Sequence, residues 1–227
     1  MLKNFYTEIY MAKHQIKYRY ERKYLVPKYD EFSLIREIIS NNFLEIFSTR
    51  KINNIYFEDN YFNSYTDNYE GFSDREKIRL RWYGETFKSS EKTLEFKIKK
   101  EAVNYKKTFH IGRFKLNNPI EANNLKELYS NRKKKEFIKK LINKEPIVFN
   151  SYTRTYYLNE KIKTRITIDN DIKYKSLISG RTFNEKDLVI EIKYDSENNF
   201  SNKFSRYLQL SKYSKYMTGI KFDIEKL

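Results

Sequence analysis

The sequence predicts an α+β fold in which antiparallel strands close into a barrel around a charged lumen and amphipathic helices pack outside. Three observations carry that expectation. Lys77-Ile78-Arg79-Leu80-Arg81-Trp82-Tyr83 alternates apolar and cationic residues strictly, so as a strand it has one greasy face and one guanidinium-lined face. The same two-faced pattern returns in several other segments. Stretches with apolar residues at helical spacing lie between them and can cover an apolar outer wall.

Taken in order, Ile16–Val26 is the first strand. Arg19, Glu21 and Lys23 share one face, Tyr18, Tyr20, Arg22 and Tyr24 the other, and Pro27 closes it. A helix is predicted from about Asp30 to Asn42, with Phe32, Ile35, Ile38, Ile39 and Phe43 as its apolar stripe. Lys51–Phe62 is a strand, followed by a polar turn region ending at Gly71. Lys77–Tyr83, Thr93–Glu101 and a shorter Tyr105–Ile111 then read as a meander; in the second of these Leu94, Phe96 and Ile98 oppose Glu95, Lys97 and Lys99.

Leu125–Ile142 returns to helical spacing and carries Arg132-Lys133-Lys134-Lys135, a run that reads first as a solvated helix face. Beyond Pro146, three more strands are predicted. Ile147–Leu158 holds Tyr152 and Arg154 on one face, Thr164–Ile172 holds Arg165, Thr167 and Asp169, and Leu188–Asp195 holds Glu191 and Lys193. Phe200, Phe204, Tyr207 and Leu208 suggest a short helix before Ser211-Lys212-Tyr213-Ser214-Lys215-Tyr216. With 5 glycines and 3 prolines in 227 residues, no linker is visible, and residues 1–227 read as one domain with a core over about 16–222.

Composition narrows the function. Hydrophobic residues at 39% and aromatics at 17% exclude a disordered chain. The absence of cysteine excludes disulfides and thiolate metal sites. Lys13 and His14 interrupt the N-terminus, which does not read as a signal peptide, and no segment approaches the roughly 20 apolar residues of a membrane span. A cytoplasmic protein is expected. The formal charge of +16 points to polyanionic partners. Its cations alternate within strands and interleave with carboxylates, which suits a narrow lumen better than a nucleic-acid-facing patch, so no specific nucleic acid is expected.

Charged strand faces satisfy two arrangements: water outside a sandwich, or a polar lumen inside a barrel. The long Arg, Lys and Glu side chains, with few Ser, Thr and Asn, favour the lumen. Its lining would hold Lys23, Arg79, Arg81, Lys97, Lys99, Arg154, Arg165 and Lys193 against Glu21, Glu95, Asp169 and Glu191. Like charges so crowded repel unless a polyanion neutralises the cations and a metal the carboxylates.

These segments resemble the VTC-type polyphosphate polymerase domain of the CYTH, or triphosphate tunnel metalloenzyme, group. Tyr20-Glu21-Arg22-Lys23-Tyr24, Ile78-Arg79-Leu80-Arg81-Trp82-Tyr83, Glu95-Phe96-Lys97, Tyr152-Thr153-Arg154, Arg165-Ile166-Thr167-Ile168-Asp169, Glu191-Ile192-Lys193 and the Ser211–Tyr216 segment occur in family order. The resemblance implies a tunnel of about eight antiparallel strands that transfers the terminal phosphate of ATP onto a growing polyphosphate chain. Manganese or magnesium would be the cofactor. By the same resemblance Lys23, Arg79, Arg81, Lys97, Arg154 and Arg165 match phosphate-gripping positions, and Tyr152, Lys193, Lys212, Ser214 and Lys215 match further tunnel contacts. Glu191 matches the metal-binding carboxylate, and the catalytic set would be Lys23, Arg79, Arg81, Lys97, Arg154 and Glu191.

Other readings stay open at this level. Glu191 and Lys193 equally suit a structural ion pair, Lys212 and Lys215 a solvated helix end, and Glu95 and Asp169 the orientation of nearby arginines. A tunnel triphosphatase or polyphosphatase, or a binding module without turnover, would use the same lining. Related tunnel hydrolases begin Glu-x-Glu-x-Lys, and here the first position is Arg19, a change that favours a longer polyanion over two-metal hydrolysis. Membrane helices found in the eukaryotic polymerases are missing, so any membrane partner would come from another chain.

Overall fold

The alternating segments fold as antiparallel strands. The computed structural model describes residues 20–101, 103–116, 141–195 and 208–224. The strands are β1 Tyr20–Val26, β2 Leu44–Glu58, β3 Arg75–Tyr83, β4 Ser90–Lys100, β5 Val103–Phe114, β6 Glu145–Asn159, β7 Thr164–Ser176, β8 Thr182–Asn184, β9 Leu188–Tyr194 and β10 Gln209–Leu210. The helices are α1 Glu31–Ser40, α2 Asn63–Glu70 and α3 Lys215–Ile224, with a 3₁₀ turn at Lys28–Asp30.

The sheet runs β10-β1-β9-β7-β6-β2-β3-β4-β5, with β8 paired to β7. The antiparallel α+β class is as expected. The closed barrel of about eight strands is not what the pairings give: among the described residues nine strands follow an open order, β8 lies off it, and no pair joins β10 to β5.

The chain divides into two compact units. The first comprises residues up to Arg50, Tyr152–Ile172 and Glu185–Tyr213; the second comprises Lys51–Ser151, Lys173–Asn184 and Ser214–Leu227. Each has its own core. In the first, Tyr24, Val26, Leu34, Ile38, Ile166, Ile168, Ile190 and Ile192 pack together. In the second, Ile55, Phe57, Ile78, Leu80, Trp82, Leu94 and Phe96 do so. These are the apolar faces of the alternating strands, buried because period-two spacing gathers them on one side.

Several elements differ from the sequence expectation: β2 runs Leu44–Glu58 rather than Lys51–Phe62, β8, β10 and α3 were not expected, and α1 and α2 differ as follows. On α1 the buried line is Leu34 and Ile38, continued by Phe43, whereas Phe32 and Ile39 face solvent. Apolar residues wrap more than one side of this helix, so spacing alone does not choose its buried face. The Asn63–Glu70 segment, read as a turn, is helical although only Ser64 is buried. Asp59 organises its start by accepting from the Tyr61 and Asn63 backbone N–H groups at 3.1 and 3.0 Å. The helices expected at Leu125–Ile142, except its last two residues, and at Phe200–Leu208, except Leu208, lie outside the described residues.

Candidate functional site

In the first unit, β1 and β7 flank β9 and set the charged residues in rows. Glu21 lies opposite Lys193 and Lys23 opposite Glu191, while on the other side Arg165 faces Lys193 and Thr167 faces Glu191. Lys193 Nζ reaches Glu21 Oε2 at 2.9 Å and Glu191 Oε1 at 3.1 Å, and Lys23 Nζ reaches Glu21 Oε1 at 3.4 Å. Burial would raise the pKa of Glu191, but the charges of Lys193, Arg154 and Lys23 outweigh it and hold the carboxyl well below the usual carboxylate range. Glu191 is therefore ionised although its side chain is only 15% exposed.

Arg154 is gripped by Asp169 on β7. Its Nε donates to Oδ1 and its Nη2 to Oδ2 at 2.7 Å, a two-point contact to a carboxylate only 1% exposed. The guanidinium also lies over the Tyr152 ring, 5.4 Å from its centre. Burial opposes its charge; Asp169 overcomes that and keeps the cation in place. Asp169 thus orients an arginine.

The second unit builds a comparable cluster on β3, β4 and β5. Arg79 Nη2 and Nε approach Glu95 Oε2 at 2.6 and 2.7 Å, Lys106 Nζ approaches Oε1 at 3.1 Å, and Arg81 Nη1 lies 3.9 Å away. Burial acts to raise the pKa of Glu95, but Arg79, Arg81 and Lys106 pull it down to about 2. Arg81 is 11% exposed and is fixed by Nε donating to Asn54 Oδ1 at 2.8 Å, while Asn54 Nδ2 donates to Asn150 Oδ1 at 2.8 Å. Beside this cluster Lys77, Lys97 and Lys106 stand in one cross-strand row, and Arg75 lies opposite Lys99. Lys77 Nζ donates to Ser214 Oγ at 3.3 Å and sits 5.0 Å from the Tyr216 ring centre, which ties β3 to the start of α3.

Cations placed on strands but sunk below solvent, each steadied by a carboxylate or amide, make a surface suited to phosphate oxygens. A sequence profile of the VTC domain matches residues 18–223. The chain belongs to the VTC-domain family. Curated proteins yield no match by sequence. Among solved structures, a proposed adenylate cyclase from Bacillus halodurans is similar at 19% identity over 87% of this chain and 95% of that one, with a TM-score of 0.53. A proposed adenylyl cyclase from Hippeastrum, described as having a dominant triphosphatase activity, is similar at 13% identity over 91% and 96%, with a TM-score of 0.52. At such identities these structures speak for the fold.

Within this VTC domain, the first unit brings together Lys23, Glu191 and Lys193, and on its β6 and β7 Tyr152, Arg154 and Arg165; Lys212 is exposed. The second groups Arg79 and Arg81 around Glu95; Lys97 is exposed, and Lys99, Ser214 and Lys215 are half-buried. Sequence reasoning gave no role to Lys106, Lys77 or the Asn54–Asn150 pair. Lys106 was within reach, because the Lys100–Val103 pairing that closes the β4–β5 hairpin puts it opposite Lys97. The asparagines carry no such signal, since buried amides in a strand follow no spacing rule.

Among the described residues no group of three or more His, Asp or Glu is placed to hold a metal. Two carboxylates, Glu21 and Glu191, do converge on one ammonium. Of the two, Glu191 has an oxygen outside that contact, and a carboxylate oxygen suits a hard divalent cation that takes its remaining oxygens from phosphate and water. Among the described residues no helix is long and apolar enough to cross a membrane.

Proposed function

We propose that this chain is a metal-dependent polyphosphate polymerase that moves the terminal phosphate of ATP onto a growing polyphosphate chain. Residues 1–227 act as one functional domain, since the family match runs through both compact units. The observation that carries the proposal is the held posture of the sunken cations: Arg79 and Arg81 on Glu95 and Asn54, Arg154 on Asp169.

Phosphoryl transfer asks the protein for charge neutralisation and alignment more than for covalent chemistry. Arginines already fixed by carboxylates need little reorganisation when phosphate oxygens arrive, so their stabilisation is available to the transferring group. Lys23, Lys97, Lys99, Arg165 and Lys193 add positive charge along the strands, with Tyr152 beneath Arg154; Lys212, Ser214 and Lys215 would hold the polymer. Glu191 would hold manganese or magnesium, which would supply charge neutralisation on the phosphate oxygens when bound. The strands would form the wall of a basic tunnel, as in the wider group the chain resembles. The setting would be the cytoplasm, where ATP is available.

A hydrolytic reading has one specific support, the triphosphatase activity described for the Hippeastrum structure. Incubation of the full chain with ATP and Mn²⁺, with products separated on a gel stained for polyphosphate, decides between them. A ladder that disappears in Glu191→Ala and in Arg79→Ala/Arg81→Ala is the expected result. Free phosphate without a ladder would replace polymerase by triphosphatase, and tight binding without either product would leave a binding module.

A further inference from the structure

Thr167 lies within β7 on the face that carries Arg165 and Asp169, directly opposite Glu191 of β9. Its residue is 2% exposed, and among the described residues its hydroxyl has no hydrogen-bond partner. A buried hydroxyl left in this state is unfavourable. Valine has nearly the same shape, suits a strand at least as well and would leave nothing unsatisfied. The hydroxyl needs an explanation that packing does not supply.

Its neighbour supplies one. Among the described residues, Glu191 is engaged through Oε1 alone, by Lys193 at 3.1 Å. Side chains directly opposite on one face of an antiparallel pair have Cβ atoms about 5 Å apart. A donor without an acceptor and a carboxylate with a spare oxygen therefore stand side by side. Lys193 also has a second, slightly closer partner in Glu21 Oε2 at 2.9 Å.

A divalent cation at Glu191 would repel the ammonium now on Oε1. Glu21 is already placed to keep Lys193, so the ammonium has somewhere to remain. Glu191 would lose the one ion pair it makes among the described residues and, being on a short run of free torsions, would need another contact to hold its direction. We propose that Thr167 is a positioning residue for Glu191: in the loaded site its hydroxyl donates to the carboxylate oxygen that Lys193 does not use, while Lys193 stays on Glu21. This rests on Glu191 holding the cation, as proposed above.

The test measures tripolyphosphate affinity of the full chain by calorimetry, once in EDTA and once in saturating Mn²⁺; the ratio of the two reports the contribution of the metal. Thr167→Val is expected to lower that ratio about fivefold, the effect of one hydrogen bond, with affinity in EDTA unchanged. Its thermal midpoint without ligand should match or exceed that of the wild type, because an unsatisfied group has gone. Thr167→Ser should restore the ratio, and Thr167→Ala provides a second variant without the hydroxyl.

A wild-type ratio in both Thr167→Val and Thr167→Ala, or a Thr167→Ser variant no better than they are, overturns the proposal. Glu191→Gln separates the two levels. If it abolishes the metal effect while Thr167→Val does not, only the role of Thr167 fails. If Glu191→Gln keeps the full metal effect, or the wild type shows none, the assignment of the cation to Glu191 fails and the role of Thr167 goes with it.

Discussion

The Tyr216 hydroxyl donates a hydrogen bond to Glu58, a carboxylate wholly removed from solvent at the end of β2. Burial is the main cause that lifts the Glu58 pKa from an ordinary 4.5 to about 7; Lys144 opposes the shift, Asp59 adds to it, and the Ser64 N–H contact at 3.3 Å opposes it weakly. The pair fastens α3 within the second unit.

A raised folded-state pKa means that the unfolded chain gives up this proton first. Stability from the protonated form is full below pH 4.5 and is lost as pH rises through about 7. The loss is at most about 3 kcal/mol, each pK unit being worth about 1.4. The thermal midpoint should fall between pH 5 and 8, roughly the span of this titration, and Glu58→Gln should remove most of that fall. A Glu58→Gln profile parallel to the wild type would contradict it.

Glu95 carries the opposite shift. Its pKa is depressed to about 2, so it contributes stability above its ordinary 4.5 that disappears as pH falls through about 2. Glu95→Gln should cost about 2–3 kcal/mol at neutral pH, and its gap from the wild type should close in acid. Removing a negative charge ought to tighten anion binding if only net charge mattered. Because Glu95 sets the direction of Arg79, tripolyphosphate affinity should instead fall; tighter binding would show that Glu95 is a plain counter-ion.

Gly219 is a packing residue. A Cβ there would meet Val148 Cγ1 at 2.6 Å and Tyr174 Cδ1 at 3.1 Å, and α3 buries Tyr216, Gly219, Ile220 and Asp223 as one face. Alanine normally favours a helix over glycine by about 1 kcal/mol. Here overpacking should win, with Gly219→Ala losing about 1–3 kcal/mol by chemical denaturation. Val148→Ala in the same chain should recover part of the loss, and no recovery would mean the contact is not the cause.

What was legible in the sequence followed from period-two alternation. Ile78, Leu80 and Trp82 went to the core and Arg79 and Arg81 to the other face, as the spacing required. Lys92 shows where that logic stops. It shares the face of Leu94 and is wholly buried, with Nζ donating to Phe114 O at 2.7 Å and to Ser90 O and Oγ, and lying 5.2 Å from the Trp82 ring centre. Only the arrangement of carbonyls and rings around it makes a core lysine tolerable, and composition does not reveal that. Helix α2 was hidden for a related reason: it has no apolar stripe to announce it, and Asp59 instead organises the turn that leads into it. Pair identities at the candidate site were likewise unreadable, because which carboxylate meets which cation depends on register. The registers of β9 against β1 and β7 put Glu21 and Arg165 opposite Lys193, and Lys23 and Thr167 opposite Glu191.

Arg154 and Asp169 allow structure and function to be separated. Arg154→Ala would remove the two-point contact to the buried Asp169 carboxylate, a change worth about 3–5 kcal/mol. Arg154→Ala/Asp169→Asn removes both charges and should recover most of that stability. If Arg154 only neutralises Asp169, polyphosphate synthesis should return along with the fold. If its guanidinium serves phosphate, as proposed, the double variant should be stable and still at least about tenfold slower, the loss of one transition-state contact. Arg154→Lys adds the geometric half of the test. It keeps the charge but loses the two-point contact that fixes the side chain on Asp169, so it should bind tripolyphosphate nearly as well while turning over more slowly. A lysine variant with full turnover would show that charge, rather than orientation, is what this position provides.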